Sequence, residues 1–228
     1  RLPIRHFRFT NFALKNSGLN MMIMNQQNFW NQRYADEHYA YGTLPNNYLK
    51  EKSADLRPGK ILLPAEGEGR NAVFMAKMGW EVEAFDQSTE GKNKALLLAE
   101  HYDVKISYTV SNVENIRYPE KKFDALALIF AHFPGENRRS YHRKLSSFLK
   151  PGGHLIIEGF SKEHATFQKF NPKAGGPRDA TMLYNMEELK KDFNDLEFIE
   201  ATEEKVVLAE GEFHQGEALV IRIFAVKK

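Results

Sequence analysis

The chain has 228 residues, 42% apolar and 27% charged, with a formal net charge of +2. That length suits one well-buried domain with an added arm, and the near balance of charge argues against nucleic acid or an anionic membrane as partner. Cysteine is absent, which excludes disulfides, thiolate metal sites and a cysteine nucleophile, and is consistent with a cytoplasmic setting.

Residues 1–23 are basic, contain no acid and lack the apolar core of a secretory signal. They read as an extension upstream of Met21, Met22 and Met24, with a transit peptide as the alternative, and stand apart from the fold. Residues 24–57 form an arm. Its run QNFWNQRYADEHYAYGTLPNNY, dense in aromatics and turn residues, predicts a short helix and a loop ending at Pro45. Asn46 or Asn47 then caps a helix to about Leu56.

Residues 58–228 are expected to form the main domain, in which strands and helices alternate from Lys60 onward. KILLPAE is a strand, RNAVFMAKMG a helix closed by Gly79, EVEAFD a strand, and STEGKNKALLLAEHY a helix capped at Ser88. KISYTV and DALALIFAHF are strands. NRRSYHRKLSSFLK is a helix stopped by Pro151-Gly152-Gly153, and HLIIEGF is the next strand. KVVLAEGEFHQGEALVIRIFAVKK is a pair of strands whose short loop leaves no room for a helix, so the last runs antiparallel. The pattern predicts an α/β, doubly wound, Rossmann-like seven-stranded sheet, mostly parallel with an antiparallel C-terminal strand.

Gly67, Gly69 and Ala72 satisfy G-x-G-x-x-G/A, with Asp86 about twenty residues on, which alone is also a dinucleotide fingerprint. Glu66 and Glu68 sit in the same turn. A pyrophosphate on the helix N-terminus would meet them, and one like-charge contact at about 4 Å costs about 4 kcal/mol at an effective dielectric near 20. The turn therefore favours a cationic ligand. Asp86, at a strand end, is placed to accept two ribose hydroxyls.

The ordered set of motifs resembles the class I S-adenosylmethionine-dependent methyltransferases over about residues 27–228. ILLPAEGEGRNAVFMAKMGWEVEAFDQS resembles that family's first motif and second-strand acid, FDALALIFAHFP its fourth-strand motif, and LKPGGHLIIEGF the turn before its fifth strand. FWNQRYADEHYAYGTLPNNYL is similar to the arm of the tellurite-resistance and thiopurine-type branch. The resemblance implies S-adenosyl-L-methionine as cofactor and a small-molecule acceptor. It places Ala65, Glu66, Gly67, Glu68, Gly69 and Asn71 around the methionine part. Gln87, Ser88, Asn112 and Val113 then lie on the adenine side, and Ile129 is a further cofactor contact. Trp30, Arg33, Tyr34, Tyr39 and Tyr41 lie across the cofactor, Arg33 pairing with its carboxylate. Two departures stand out. Leu63 occupies a position often held by aspartate, and Ala65 replaces glycine, which demands an ordinary backbone conformation there.

Methyl transfer is a direct displacement, so a base is needed only when the acceptor must lose a proton. His132, in IFAHFP, is the candidate base or substrate contact. Tyr34, Arg178, Glu210 and His214 are candidate substrate residues, and FNPKAGGPRD a candidate lid. The acceptor stays open among chalcogen oxyanions, thiols and small metabolites. The alternatives are a cofactor-binding protein without transfer activity and an NAD-dependent oxidoreductase. GFSKE lacks the second glycine of a hydrolase elbow, and the eight histidines lack metal-ligand spacing, so no metal is expected. NRRSYHRK reads as a solvated helix face.

Overall fold

The computed structural model describes residues 26–228, so the extension at 1–23 lies outside the described residues. Residues 26–34 are helical (α1) and the arm continues into α2 (Asn47–Ser53). The sheet comprises β1 (Lys60–Pro64), β2 (Glu81–Asp86), β3 (Ser107–Val110), β4 (Phe123–Ile129), β5 (Leu149–Phe160), β6 (Leu196–Glu210) and β7 (His214–Lys227). The remaining helices are α3 (Arg70–Lys77), α4 (Thr89–His101), α5 (Gly135–Ser147), α6 (Ala165–Phe170) and α7 (Met186–Asp192).

The strand order is β3-β2-β1-β4-β5-β7-β6. β1 to β5 pair in parallel, and β7 is antiparallel to both β5 and β6. The predicted architecture is the observed one. Alternate residues of the central strands feed two cores. Leu62, Leu126, Leu128, Leu155 and Ile157 face Leu145 of α5 and Leu189 of α7. Ile61, Leu63, Ala125, Ala127 and Ile156 face Ala72 and Met75 of α3 and Ala95 of α4. Burying each large aliphatic side chain is worth about 1.5–3 kcal/mol, so the central strands need no polar face.

Local signals act much as read. Asn46 caps α2 by accepting from Leu49 N at 3.0 Å, and Ser88 caps α4 by accepting from Gly91 N at 3.0 Å. Several boundaries differ: β4 ends at Ile129, α2 at Ser53, and β3 starts at Ser107, and two further shifts have a visible cause. α5 stops at Ser147, ahead of Pro151-Gly152-Gly153, which lies within β5. The backbone N–H groups of Lys121 and Lys122 bond to Ser147 O and Phe148 O, so pairing with the start of β4 ends the helix early. β6 begins at Leu196 rather than near Lys205, because fourteen residues of β7 offer it a partner along their length.

The order reverses between β1 and β4, and that switch point opens a crevice at the carboxyl ends of the strands. Among the described residues no helix is long and apolar enough to cross a membrane.

The turn after β1 leaves no space at Gly69. Its φ is +86°, and a Cβ would lie 2.5 Å from the Ala95 Cβ on α4. Gly69→Ala is expected to cost about 2–4 kcal/mol of stability, seen as a lower urea midpoint at unchanged slope. A loss below about 0.5 kcal/mol would show that the turn and α4 separate freely.

Candidate functional site

A cavity of about 770 Å³ runs along the carboxyl edge, reached by the residues that follow β1, β2, β3, β4 and β5. At one end lies the glycine turn. Ala65 has φ +53°, so the ordinary conformation expected there is corrected to a left-handed one. The reversal lets Glu66 N–H reach Phe85 O at 3.2 Å and brings the Glu66 side chain under α3.

Glu66 Oε1 accepts from Asn71 N at 2.9 Å and Ala72 N at 2.7 Å, capping a helix whose N-cap residue is glycine. Burial lifts its pKa to about 7 against the pull of those N–H groups and Arg70. Glu68 is almost fully buried. Its Oε2 accepts from Ala40 N at 2.8 Å and its Oε1 meets Lys94 Nζ at 2.6 Å. Both acids border the cavity, but the expectation that they stand free for a cationic ligand is corrected: one caps a helix and the other ties the arm to α4.

Gly67 lines the cavity. Its N–H donates to Asp86 Oδ2 at 3.2 Å, and its carbonyl accepts from Tyr108 Oη at 2.6 Å. Gly69 packs on α4 and is not part of the wall, a third correction. Asn71 lines it while its Oδ1 accepts from Asn46 N at 2.9 Å. Asp86 also accepts from Ser88 N at 2.8 Å, and burial raises its pKa to about 6 despite these bonds. Gln87, Asn112, Val113 and Ile129 line the cavity. Asn112 Oδ1, however, accepts from Asn115 N at 2.9 Å and serves its own turn. Ser88 lies behind the wall, its Oγ donating to Asn31 Oδ1 at 2.7 Å, which anchors the arm.

The arm roofs the cavity and reaches His214, whose ring is 4.5 Å from that of Tyr41. Trp30 stacks on Tyr34 at 5.4 Å, and the Arg33 guanidinium sits 3.7 Å over the Phe213 ring with Nη1 3.5 Å from Tyr41 Oη. Tyr39 turns away and donates to Lys94 O. Tyr34 does not belong to the acceptor end. A Cβ on Gly67 would lie 2.6 Å from its hydroxyl, so it is a wall of the glycine turn.

At the other end the wall is aromatic. Phe130 has φ +52°, and its N–H donates to Glu158 O at 2.6 Å. Its ring is 4.4 Å from the His214 ring and 4.7 Å from Phe160. His132 lines the cavity but is not free to act as a base. Its Nδ1 is 2.9 Å from Met182 O, and its Nε2 accepts from Phe160 N at 3.1 Å. A carbonyl only accepts, so Nδ1 carries the proton and both nitrogens are engaged. Burial drives its pKa to about 3.

His214 has the opposite posture. Nδ1 is 3.1 Å from Glu210 Oε2, which also receives Arg70 Nη2 at 2.8 Å, while Glu210 Oε1 accepts from Asn46 Nδ2 at 3.1 Å. Burial lowers the His214 pKa and the Glu210 contact opposes it. The neutral ring donates from Nδ1, which leaves the Nε2 lone pair without a partner among the described residues, on a ring that borders the cavity. Glu210 is behind the wall and orients His214, so its reading as a substrate contact is corrected. Arg178 is exposed on the rim, in the loop that brings Gly175 and Gly176 against the aromatic end.

Sequence reasoning passed over Phe130, Phe160 and Met182 as wall residues, and the Glu210–His214 pairing. Glu and His four apart in a turn signal was available for the last. The left-handed Phe130 had no local signal.

Residues 61–153 match the family described as methyltransferase domain, which spans β1 to the turn within β5. A ubiquinone biosynthesis O-methyltransferase of Proteus mirabilis is 28% identical over 120 residues, 51% of this chain and 48% of that protein. The chain spans about half the length of the curated relatives it matches. A structure from work on the conversion of a disulfide bond into a thioacetal group during echinomycin biosynthesis superposes with a TM-score of 0.72 at 17% identity, covering 91% of this chain and 92% of that one. TehB from Haemophilus influenzae gives 0.65 at 17% identity, with 89% and 67% covered. A Burkholderia thailandensis 1,6-didemethyltoxoflavin-N1-methyltransferase, solved with S-adenosylhomocysteine, gives 0.58 at 14% identity, with 98% and 93% covered. The fold is that of the S-adenosylmethionine-dependent methyltransferases.

The two histidines separate by titration. With a pKa of about 3, His132 is expected to hold one neutral tautomer down to about pH 4 in ¹⁵N NMR, its proton on Nδ1. His214 is expected to carry its proton on Nδ1 too, and to lose that preference in Glu210→Gln. Titration of His132 near its ordinary value would overturn the assignment.

Proposed function

We propose that this chain transfers a methyl group from S-adenosylmethionine to a small-molecule acceptor, with His214 receiving the acceptor's proton. The observation that carries the reading is one cavity lined by both the buried Asp86 carboxylate and the Glu210-held imidazole of His214.

The residues present fit the cofactor. Asp86 keeps acceptor capacity for ribose hydroxyls at a strand end, Arg33 offers a guanidinium to a carboxylate, and the glycine turn and Trp30 supply a wall for the remainder. A dinucleotide fits worse. The first free N–H groups of α3, where a pyrophosphate would sit, are taken by Glu66. S-adenosylmethionine, when bound, supplies a methyl group on a positively charged sulfur, open to attack by a nucleophile.

The chain's own part is to enclose, orient and accept a proton. The arm helix α1 and the β6–β7 turn roof the cavity, with Arg33 lying against Phe213. Neutral His214 takes a proton at Nε2 while Glu210 stabilises the charge that develops on the ring. The arm and the likeness to TehB support kinship with the tellurite-resistance branch, which we infer for the architecture.

Calorimetric titration with S-adenosylhomocysteine, with NAD in parallel, tests the reading. Micromolar binding of the first alone is expected, weakened about 100-fold in Asp86→Ala, which removes two charge-assisted hydrogen bonds. Asp86 is ionised above its raised pKa of about 6, so affinity is full above that pH and declines as pH falls through it, by up to about tenfold per unit. His214→Gln is expected to slow transfer by about 10²–10⁴ at unchanged S-adenosylhomocysteine affinity. Binding of NAD alone would restore the oxidoreductase reading, and cofactor binding with no turnover of any acceptor would favour a non-catalytic role.

A further inference from the structure

We propose that the amino edge of the sheet carries a second small-molecule site, a groove that takes a flat aromatic carboxylate. The inference goes beyond the methyl-transfer reading and does not rest on it.

The groove has a volume of about 500 Å³ and lies where the strands begin. Gly59 immediately precedes β1, Trp80 immediately precedes β2, Asp124 is the second residue of β4, and His154 pairs with Ala125 from β5. The cavity described above lies past the other ends of these strands, and no residue lines both. Small-molecule sites are concave, of about 300–1,000 Å³, with apolar walls and a few polar groups that fix orientation.

The first feature that assigns the ligand is the wall. Leu56, Pro58, Trp80 and Pro151 line the groove. Both prolines are exposed and have rigid rings, while Trp80 is 5% exposed and held in place. Such surfaces reward a planar apolar body and give little to a small hydrated anion.

The second is charge. The acids along this edge already have cations of their own. Asp124 pairs with Lys150 at 2.6 Å, Glu81 with Lys60 at 2.8 Å, and Glu83 with Lys122. Asp124 also accepts from Lys60 N at 2.8 Å. Arg57 lines the groove and has no acid within ion-pair distance among the described residues. The groove is therefore left with one uncompensated guanidinium, a group that matches a carboxylate through two parallel N–H bonds.

The third is a pair of uncommitted polar rings. Neither the Trp80 indole nor the His154 imidazole has a hydrogen-bond partner among the described residues that would keep it from a ligand. His154 is nevertheless fixed, its ring stacked on Phe224 at 5.4 Å and 13°. Burial lowers its pKa, so the neutral ring offers one N–H, and the indole offers another.

The backbone keeps the groove open. A Cβ on Gly59 would stand 2.6 Å from Asp124 Oδ2, and one on Gly153 would stand 3.2 Å from Asp124 O. Connector and turn thus both lie against the start of β4. A Cβ on Gly152, between them and Pro151, would meet nothing within 4 Å.

The test is ¹⁹F NMR of the full chain labelled with 5-fluorotryptophan and titrated with 2-naphthoate. The chain has two tryptophans, Trp30 on the other cavity and Trp80 on this groove, and Trp30→Phe assigns the two signals. The Trp80 signal is expected to move to saturation while the Trp30 signal stays, with or without S-adenosylhomocysteine. Arg57→Gln, at an exposed position, is expected to weaken 2-naphthoate by about tenfold, the loss of one charge-assisted hydrogen bond. Neutral 2-naphthol, which lacks the charge, and inorganic phosphate, which lacks the apolar body, are each expected to bind at least about tenfold more weakly. A Trp80 signal that does not move, or an affinity unchanged in Arg57→Gln, would overturn the site. Phosphate or 2-naphthol matching 2-naphthoate would overturn the ligand class. Failure to bind S-adenosylhomocysteine would remove the methyl-transfer reading and leave this one standing.

Discussion

One buried amide joins the parts of the site. Asn46 caps α2 with its Oδ1 and donates its N–H to Asn71 of α3. Its Nδ2 donates to Glu158 of β5 at 2.7 Å and to Glu210 of β6 at 3.1 Å. Two carboxylates on one amide would repel if left bare. Arg222 pairs with Glu158 and Arg70 with Glu210, so each charge has its counterion. The two acids nevertheless respond differently. Burial dominates at Glu158 and raises its pKa, whereas at Glu210 burial is outweighed by the bonds to His214 and Arg70, which hold it low. Removing either arginine would strand a buried charge, a change worth about 3–5 kcal/mol in comparable pairs.

The base at the site follows from that hub. Glu210 is fixed from two sides before it meets His214, so the imidazole has one tautomer and one orientation. His132 shows what happens without a carboxylate: a backbone carbonyl and a backbone N–H take both nitrogens, and the ring becomes a strut between β5 and the loop ending at Met182. Backbone strain assists. Ala65 and Phe130 are the first residues beyond β1 and β4, the two strands at the switch point, and both are left-handed without being glycine. Such conformations persist only where surroundings enforce them, and here both residues line the cavity.

Much of the architecture was legible in sequence because it depends on local signals. The two-sided apolar strands, the Ser88 and Asn46 caps and the short terminal hairpin each act within a few residues. What escaped depends on distant partners. Glu66 looked like a ligand for a cation because its target, the N–H groups five and six residues on, becomes a target only once the turn folds back. Ala65 looked incapable of a left-handed turn because the Phe85 carbonyl that enforces it lies on another strand. His132, beside the fourth-strand motif, looked more reactive than His214, and only the placement of Met182 and Phe160 reverses that order. Tyr34 was assigned to the acceptor for want of any sequence sign that its ring meets Gly67.

The glycine motif shows why a fingerprint is a statement about backbone and not about ligand. Gly67, Gly69 and Ala72 supply the tight turn and the close helix–strand approach that the dinucleotide pattern also requires. In the phosphate-binding version, the N–H groups opening the helix are left for the ligand. Here Glu66 occupies them, so the positive end of α3 is neutralised from within the chain before any ligand arrives. The acids do argue against a pyrophosphate, but through the hydrogen bonds they take rather than through a field they project. Glu68 makes the same point, since Lys94 cancels its charge and the pair serves to hold the arm down. Ligand choice at such a turn is therefore decided by which group caps the helix, a property of the residue before the first glycine as much as of the glycines.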